Sequence, residues 1–335
     1  RVMSKKKAEE MLKEGNPGER GKSIKIHVLQ CGRVNVDTAM AHKDVSPFKK
    51  AYTGRFRNVS KREWLPVNVF LIEAPKGLVL VDAGWHTDVR VDPKVHESPR
   101  LWSIYRPDLP EGQAVTEQLA KLGYQPSDID YVVMTSLDVD HASGLSLLKG
   151  AKHIVASQAE IDAARTDTIR YNPVFIDGLE VEPISYIFSG VGPSEMTCDL
   201  FGDGMVQLVY APGKSAGSQC VLVHDQSDYV LLVGDSGYDE SSWETERFPG
   251  LMNDRDKTRF VLTWIKTMQH GKHQKGIFAT HDPAVKDGDL VIFYRLDKNY
   301  VFGDTLLLDF QGKRQVRRVA ATAGDTVDIT QDGSI

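Results

Sequence analysis

Cysteine is scarce in this chain: three residues in 335, at Cys31, Cys198 and Cys220. They are far apart, odd in number and include no C-x-x-C pair, which excludes a disulfide framework and a cysteine-rich zinc site. Cys220 lies in an apolar run with Val221, Leu222 and Val223 and reads as a buried thiol. Long apolar runs are also missing. Mean hydropathy is -0.31, and no stretch is long enough to span a bilayer. Residues 1–21 are rich in Lys, Glu and Gly. They lack an apolar segment followed by a small-residue cleavage site, so they do not read as a signal peptide. A reducing, cytoplasmic setting without a membrane partner is the expectation. Positive charge is not in surplus either: Lys and Arg number 41 against 46 Asp and Glu, a net charge of -5. That balance argues against nucleic acid as the main partner. The local cluster Lys313, Arg314, Arg317 and Arg318 reads as a solvated strand face.

Apolar content of 41% and charged content of 26% are ordinary for a globular chain, and the length allows one large domain or two modest ones. Residues 1–22 read as a charged helical arm ended by Gly15-Asn16-Pro17-Gly18. A first strand is expected at 24–29 and a long surface loop over 33–65. Strands 67–73 and 78–81 form a hairpin across Ala74-Pro75-Lys76-Gly77, and 85–112 read as loop. Helices are expected at 114–122, from 144, at 158–165 and at 257–269. Strands are expected at 131–134, 152–156, within 179–189, and at 205–210, 219–224, 229–233 and 276–279. Strand clusters separated by helices, in two successive halves, fit an α/β (α+β) arrangement of two mixed sheets between helices.

The most informative stretch is Thr135-Ser136-Leu137-Asp138-Val139-Asp140-His141-Ala142-Ser143-Gly144, which follows an apolar strand and opens onto a helix. Other strand ends carry further lone-pair donors: Asp82 in Val81-Asp82-Ala83-Gly84, Lys214 after Pro212-Gly213, Asp235 in Gly234-Asp235-Ser236-Gly237-Tyr238, and His281 in Thr280-His281-Asp282. Loops at strand ends suit metal or catalytic sites because the sheet fixes where their side chains converge. His86 is close enough to Asp82 to line such a pocket, whereas His153, His224 and His270 read as structural or surface residues. Gly234-Asp235-Ser236-Gly237 superficially resembles a serine-protease nucleophile loop, but no histidine stands in a matching context.

The stretch at 135–144 resembles the T-H-x-H-x-D-H-x-x-G signature of the metallo-β-lactamase superfamily, and the later loops follow in that family's order over residues 24–283. The resemblance implies its four-layer αββα sandwich. The Gly-Asp-x-x-Tyr element at 234–238 is similar to that of the N-acyl-homoserine lactonase-like branch, in which the tyrosine contacts the scissile carbonyl. One metal position of the family maps here onto Ser136, Asp138 and Lys214, and is lost. The other maps onto Asp140, His141 and His281, with Asp235 at the bridging aspartate and Asp82 ordering the site by hydrogen bonds. Losing a dication would leave Asp138, Asp140 and Asp235 crowded. A Lys214 ammonium answers that charge but cannot ligate metal while protonated. The expected site therefore holds one divalent transition metal, for which Zn, Fe and Mn are all suited.

From about Pro283 the sequence changes character. Val285–Phe293 and Arg317–Val327 resemble two boxes of type I signal peptidases. The positions of that family's nucleophile and base fall on Thr280 and Arg317, and arginine cannot serve as a base. The expected domains are an arm at 1–22, the metallo-β-lactamase-like domain at 23–283, and an incomplete, inactive β segment at 284–335. Functionally, the expectation is a hydrolase of a lactone or ester with Asp140, Asp235, Tyr238 and Lys214 in catalytic roles. The alternative is a non-catalytic binder of small molecules in which Lys214 replaces the metal. A homodimer is the expected assembly, as the commonest one.

Overall fold

Alternation between two cores defines the strands. The computed structural model describes residues 24–42, 59–95, 99–225 and 227–293, together with strands at 305–310 and 313–318. In β2 (Arg62–Ala74), Val69 and Leu71 face one core while Phe70 and Ile72 face another. In β11 (Gln219–Asp225), Val221 and Val223 face the core shared with Phe70, and Cys220 and Leu222 face a third. Period-two alternation with both faces apolar is what a strand buried on both sides requires.

The strands form two sheets. The first joins β1 (Ile24–Asp37), β2, β3 (Gly77–Val81), β4 (Arg106–Asp108), β5 (Tyr131–Val133), β6 (His153–Ala156), β7 (Val181–Pro183) and β14 (Leu290–Phe293), in the order β14-β1-β2-β3-β5-β6-β7 with β4 also pairing β1. The second joins β8 (Ile187–Phe188), β9 (Met196–Asp199), β10 (Val206–Tyr210), β11, β12 (Asp228–Gly234) and β13 (Gln274–Ala279), in the order β13-β12-β11-β10-β9-β8. One core, including Ile26, Phe70, Val133, Leu208, Val221 and Leu232, lies between the sheets. A second packs the outer face of the first sheet against the helix Val115–Lys121. A third packs the second sheet against the helix Arg255–Gln269. That helix buries Thr258, Val261, Leu262 and Ile265, an i, i+3, i+4, i+7 stripe, and its N-cap Asp254 accepts from Asp256 N and Lys257 N. The result is the expected αββα order of layers.

Three expectations change. The segment 85–112, expected as loop, holds the helix Pro99–Ile104 and β4, which pairs with β1. The surface loop expected over 33–65 is in part strand: β1 runs to Asp37 and β2 begins at Arg62, with Asp37 opposite Arg62. The charges that suggested a loop serve a structural purpose. Arg62 donates to Asn35 Oδ1 at 2.7 Å and to the carbonyls of Ser103 and Ile104 at 3.1 and 2.8 Å. The boundary expected at 283 also moves, because Val285 and Val291 belong to the inter-sheet core and β14 pairs with β1. The first signal-peptidase-like stretch is therefore an edge of this sheet. The compact unit extends to Phe293, and Tyr294–Ile335 form a second unit. In that unit, β15 (Thr305–Phe310) and β16 (Lys313–Arg318) pair antiparallel, and the four basic residues Lys313, Arg314, Arg317 and Arg318 lie on β16. The N-terminal arm at 1–22, residues 43–58 of the expected surface loop and residues 319–327 of the second box lie outside the described residues.

Candidate metal centre

The first sheet brings Asp82 to the end of β3 and residues 135–141 to the end of β5. Asp82 adopts φ 66°, unusual for a residue with a side chain. From there it accepts from Thr135 N and Thr135 Oγ1, both at 2.7 Å, and pairs with His141 Nδ1 at 2.8 Å. Asp140 and His141 lie on the short helix Val139–Ala142, entirely buried. Gly144 lets that segment close on the Asp82 turn, since a Cβ there would meet the Ala83 carbonyl at 2.5 Å. The second sheet supplies Lys214 after β10, Asp235 and Tyr238 after β12, and His281 after β13.

These residues gather into two halves that share Asp235. In the first half, Asp140, His141 and His281 each place a donor atom within 4.8 Å of the others. Pro66 O can only accept, so its 2.8 Å contact fixes the proton of His281 on Nδ1. Asp82 does the same for His141. Both Nε2 atoms therefore face the centre, the orientation that a hydrogen bond on Nδ1 gives a metal-ligating histidine. Asp235 Oδ1 lies 3.1 Å from each Nε2, and Asp140 Oδ2 lies 3.3 Å from that of His281. Despite these distances, both Asp140 oxygens, His141 Nε2 and Asp235 Oδ1 are buried without a hydrogen bond of good geometry. Burial pushes His281 down, but Asp235 and Asp140 outweigh it and raise its pKa to about 9. The pocket thus favours positive charge at this point. Buried, unpartnered oxygen and nitrogen donors in such a field fit a divalent transition metal.

The second half is already complete. Lys214 Nζ lies 3.0 Å from Asp235 Oδ2 and 3.3 Å from Asp138 Oδ2, with 1% of the lysine exposed. Burial pulls its ammonium down, but Asp235 and Asp138 more than offset this, so Lys214 is held above its ordinary value. Arg170 grips Asp138 with Nε at 2.7 Å and Nη2 at 2.6 Å, and its Nη1 donates to Lys214 O at 2.7 Å. Burial would raise the Asp138 carboxyl, but Arg170 and Lys214 hold it well below the usual carboxylate range. Ser136 is buried beside Asp138.

Tyr238 stacks on His281, with ring centroids 5.2 Å apart, and its hydroxyl donates to Asp235 Oδ2 at 3.3 Å. Burial and then Asp235 hold its phenol well above its ordinary value, so it is an O–H donor. Tyr105, also buried, lies within electrostatic range of Asp138, Asp140 and Asp235.

All residues singled out at the strand ends thus meet in one place: Asp82, Ser136, Asp138, Asp140, His141, Lys214, Asp235, Tyr238 and His281. His86 Nδ1 accepts from Asp88 N as the cap of a short turn, and its backbone N donates to Ser143 Oγ at 3.1 Å. Sequence reasoning missed Arg170 and Tyr105, which carry no motif. The only cue to Arg170 was the third acid, Asp138, whose charge calls for more than one cation.

Comparison with known proteins bears on the family and the fold. The sequence model of the metallo-beta-lactamase superfamily matches residues 62–268. The N-acyl homoserine lactonase AttM of Rhizobium radiobacter is 28% identical over 220 residues, which cover 65% of this chain and 82% of that protein. The N-acyl homoserine lactonase of Bacillus cereus is 26% identical over 268 residues, 79% of this chain and 95% of that protein. In fold, the chain is similar to an N-acyl homoserine lactone hydrolase solved with N-hexanoyl-L-homoserine at its catalytic metal centre. The TM-score is 0.63 at 22% identity, covering 78% of this chain and 96% of that one. With residues 62–268, more than half of its length, matched by the family model, the chain belongs to the metallo-beta-lactamase superfamily.

Proposed function

We propose that this protein hydrolyses a lactone or related ester with a single divalent metal, held by Asp140, His141, Asp235 and His281. Lys214 stands where a second metal would be. The observation that carries this reading is the division of Asp235. Its Oδ1 faces both histidines, and its Oδ2 is bound by Lys214 and Tyr238. One carboxylate thus joins a set of free donors to a fixed ammonium.

A metal in the first half supplies Lewis acidity, which polarises a carbonyl and lowers the pKa of water. The chain's own residues do the rest. Asp140 or Asp235 orients the attacking water, accepts its proton and returns it to the leaving oxygen as the acyl–oxygen bond breaks. The Tyr238 hydroxyl donates to the developing oxyanion, and Lys214 adds positive charge in a site shielded from solvent. Asp82 and Pro66 O hold the two imidazoles in register.

The test is proton release from a panel of lactones and esters, N-acyl homoserine lactones included, by protein whose metal content has been measured. The reading expects hydrolysis that stops on chelation and returns with Zn²⁺, Fe²⁺ or Mn²⁺. Metal-loaded protein inert towards the whole panel contradicts it. The completeness of the Lys214 half favours a second reading, a metal-free binder. Thermal stabilisation by metabolites but by no metal would select it.

A further inference from the structure

Glu160 touches neither Asp235 nor the donor set, yet it is 1% exposed and accepts four hydrogen bonds. It sits on the helix Gln158–Thr166. Its Oε1 accepts from Leu137 N and Tyr171 Oη, both at 3.0 Å. Its Oε2 accepts from Ser215 Oγ at 2.7 Å and Gly217 N at 2.8 Å. Leu137, Tyr171 and Ser215 are the chain neighbours of Asp138, Arg170 and Lys214 respectively. The contacts among Asp138, Arg170 and Lys214 join segments 32 and 44 positions apart, and Glu160 holds a chain neighbour of each of these three.

The helix is also seated directly on the Lys214 loop. Ser157 Oγ donates to Gly217 O at 2.6 Å, and a Cβ at Gly217 would lie 2.0 Å from Ser157 Oγ. The choice of a carboxylate follows from the donor count. Its two oxygens accept from four groups, whereas an amide would turn two donors of its own towards donors. A buried acid satisfied in this way fixes geometry because an alternative packing would leave its charge unpaired.

We propose that Glu160 is a positioning residue of the site, setting Asp138, Arg170 and Lys214 in register and so holding the Lys214 ammonium against Asp235. This deepens the reading of Lys214 as the resident cation and rests on it. The test reads the lysine itself. In the full chain, reductive methylation with formaldehyde and borohydride, followed residue by residue by mass spectrometry, should leave Lys214 protected. Glu160→Gln should accelerate its labelling by about tenfold or more, as expected when several buried hydrogen bonds to a charged group are lost. Cys31, buried in the core, should stay protected from a thiol reagent in the same variant. Ser215→Ala removes one of the four bonds and should give a smaller acceleration in a folded protein, which covers the case that Glu160→Gln does not fold. Lys214 as protected as in the wild type in a folded Glu160→Gln, or in Ser215→Ala should Glu160→Gln not fold, overturns the proposal. So does parallel exposure of Lys214 and Cys31 in Ser215→Ala. Labelling needs neither metal nor substrate, so failure of the hydrolase reading shows separately in the metal content and turnover of the wild type.

Discussion

The two halves of the site use the same strand-end loops and share Asp235, yet they solve opposite electrostatic problems. Around Asp140, His141 and His281, burial leaves donor atoms without partners. Around Asp138, every charge is answered by Lys214 or Arg170. The first half is a set of donor atoms that could hold a cation. The second carries its cations covalently attached to the chain. A dication and the Lys214 ammonium together with the Arg170 guanidinium carry the same charge of two, but only the dication polarises water and carbonyl groups strongly. On the proposed single-metal reading, the chain keeps the electrostatic service of a second metal without its ligation chemistry.

The sharpest way to break the comparison is to remove a ligand from the first half alone. His281→Ala should abolish metal binding and turnover while leaving the Lys214 half intact. Elemental analysis and an activity assay check this, and unaltered activity would refute the assignment. Converting the second half into a ligand set is the next test. Ser136→His, Asp138→His and Lys214→His combined with Arg170→Ser should raise metal content from one to two per chain. Arg170 must be included because Asp138→His would leave its guanidinium buried without its carboxylate.

Arg170→Ala alone should cost about 3 kcal/mol in urea unfolding, since it leaves Asp138 buried with only Lys214. The same change should move metal affinity little, and a large loss of metal would merge the two halves. The smallest effect lies outside both and controls for general acid sensitivity. Burial raises the Glu73 carboxyl, but His27 and Lys25 outweigh it and bring it to about 2. A depressed folded-state pKa contributes stability above the unfolded value of about 4.3 and loses it as pH falls towards the folded one. Glu73→Gln should therefore flatten the acid limb of stability between about pH 4 and 2, by about 1 kcal/mol after solvent screening.

How much of this was legible in the sequence follows from the physics of each part. Asp140, His141, Asp235 and His281 sit in short segments just after apolar strands, so local pattern exposes them. The layers were legible because alternation along β2 and β11 reflects burial on two faces. Arg170 and Glu160 were hidden, because Arg170 acts on Asp138, 32 positions away, and Glu160 on Leu137, 23 positions away, each from a segment with no distinctive pattern. The ends of β1 and β2 were hidden because Asn35 and Arg62 satisfy each other across the strand pair, and charge in a sequence reads as solvent exposure.

The account stands most directly on the number of metal ions per chain. Inductively coupled plasma mass spectrometry of purified protein reconstituted with Zn²⁺, Fe²⁺ or Mn²⁺ should find one equivalent of a transition metal. Two equivalents would show that Lys214 and Arg170 do not close the second half, and none would show that the unpartnered donors of the first half are not a metal site.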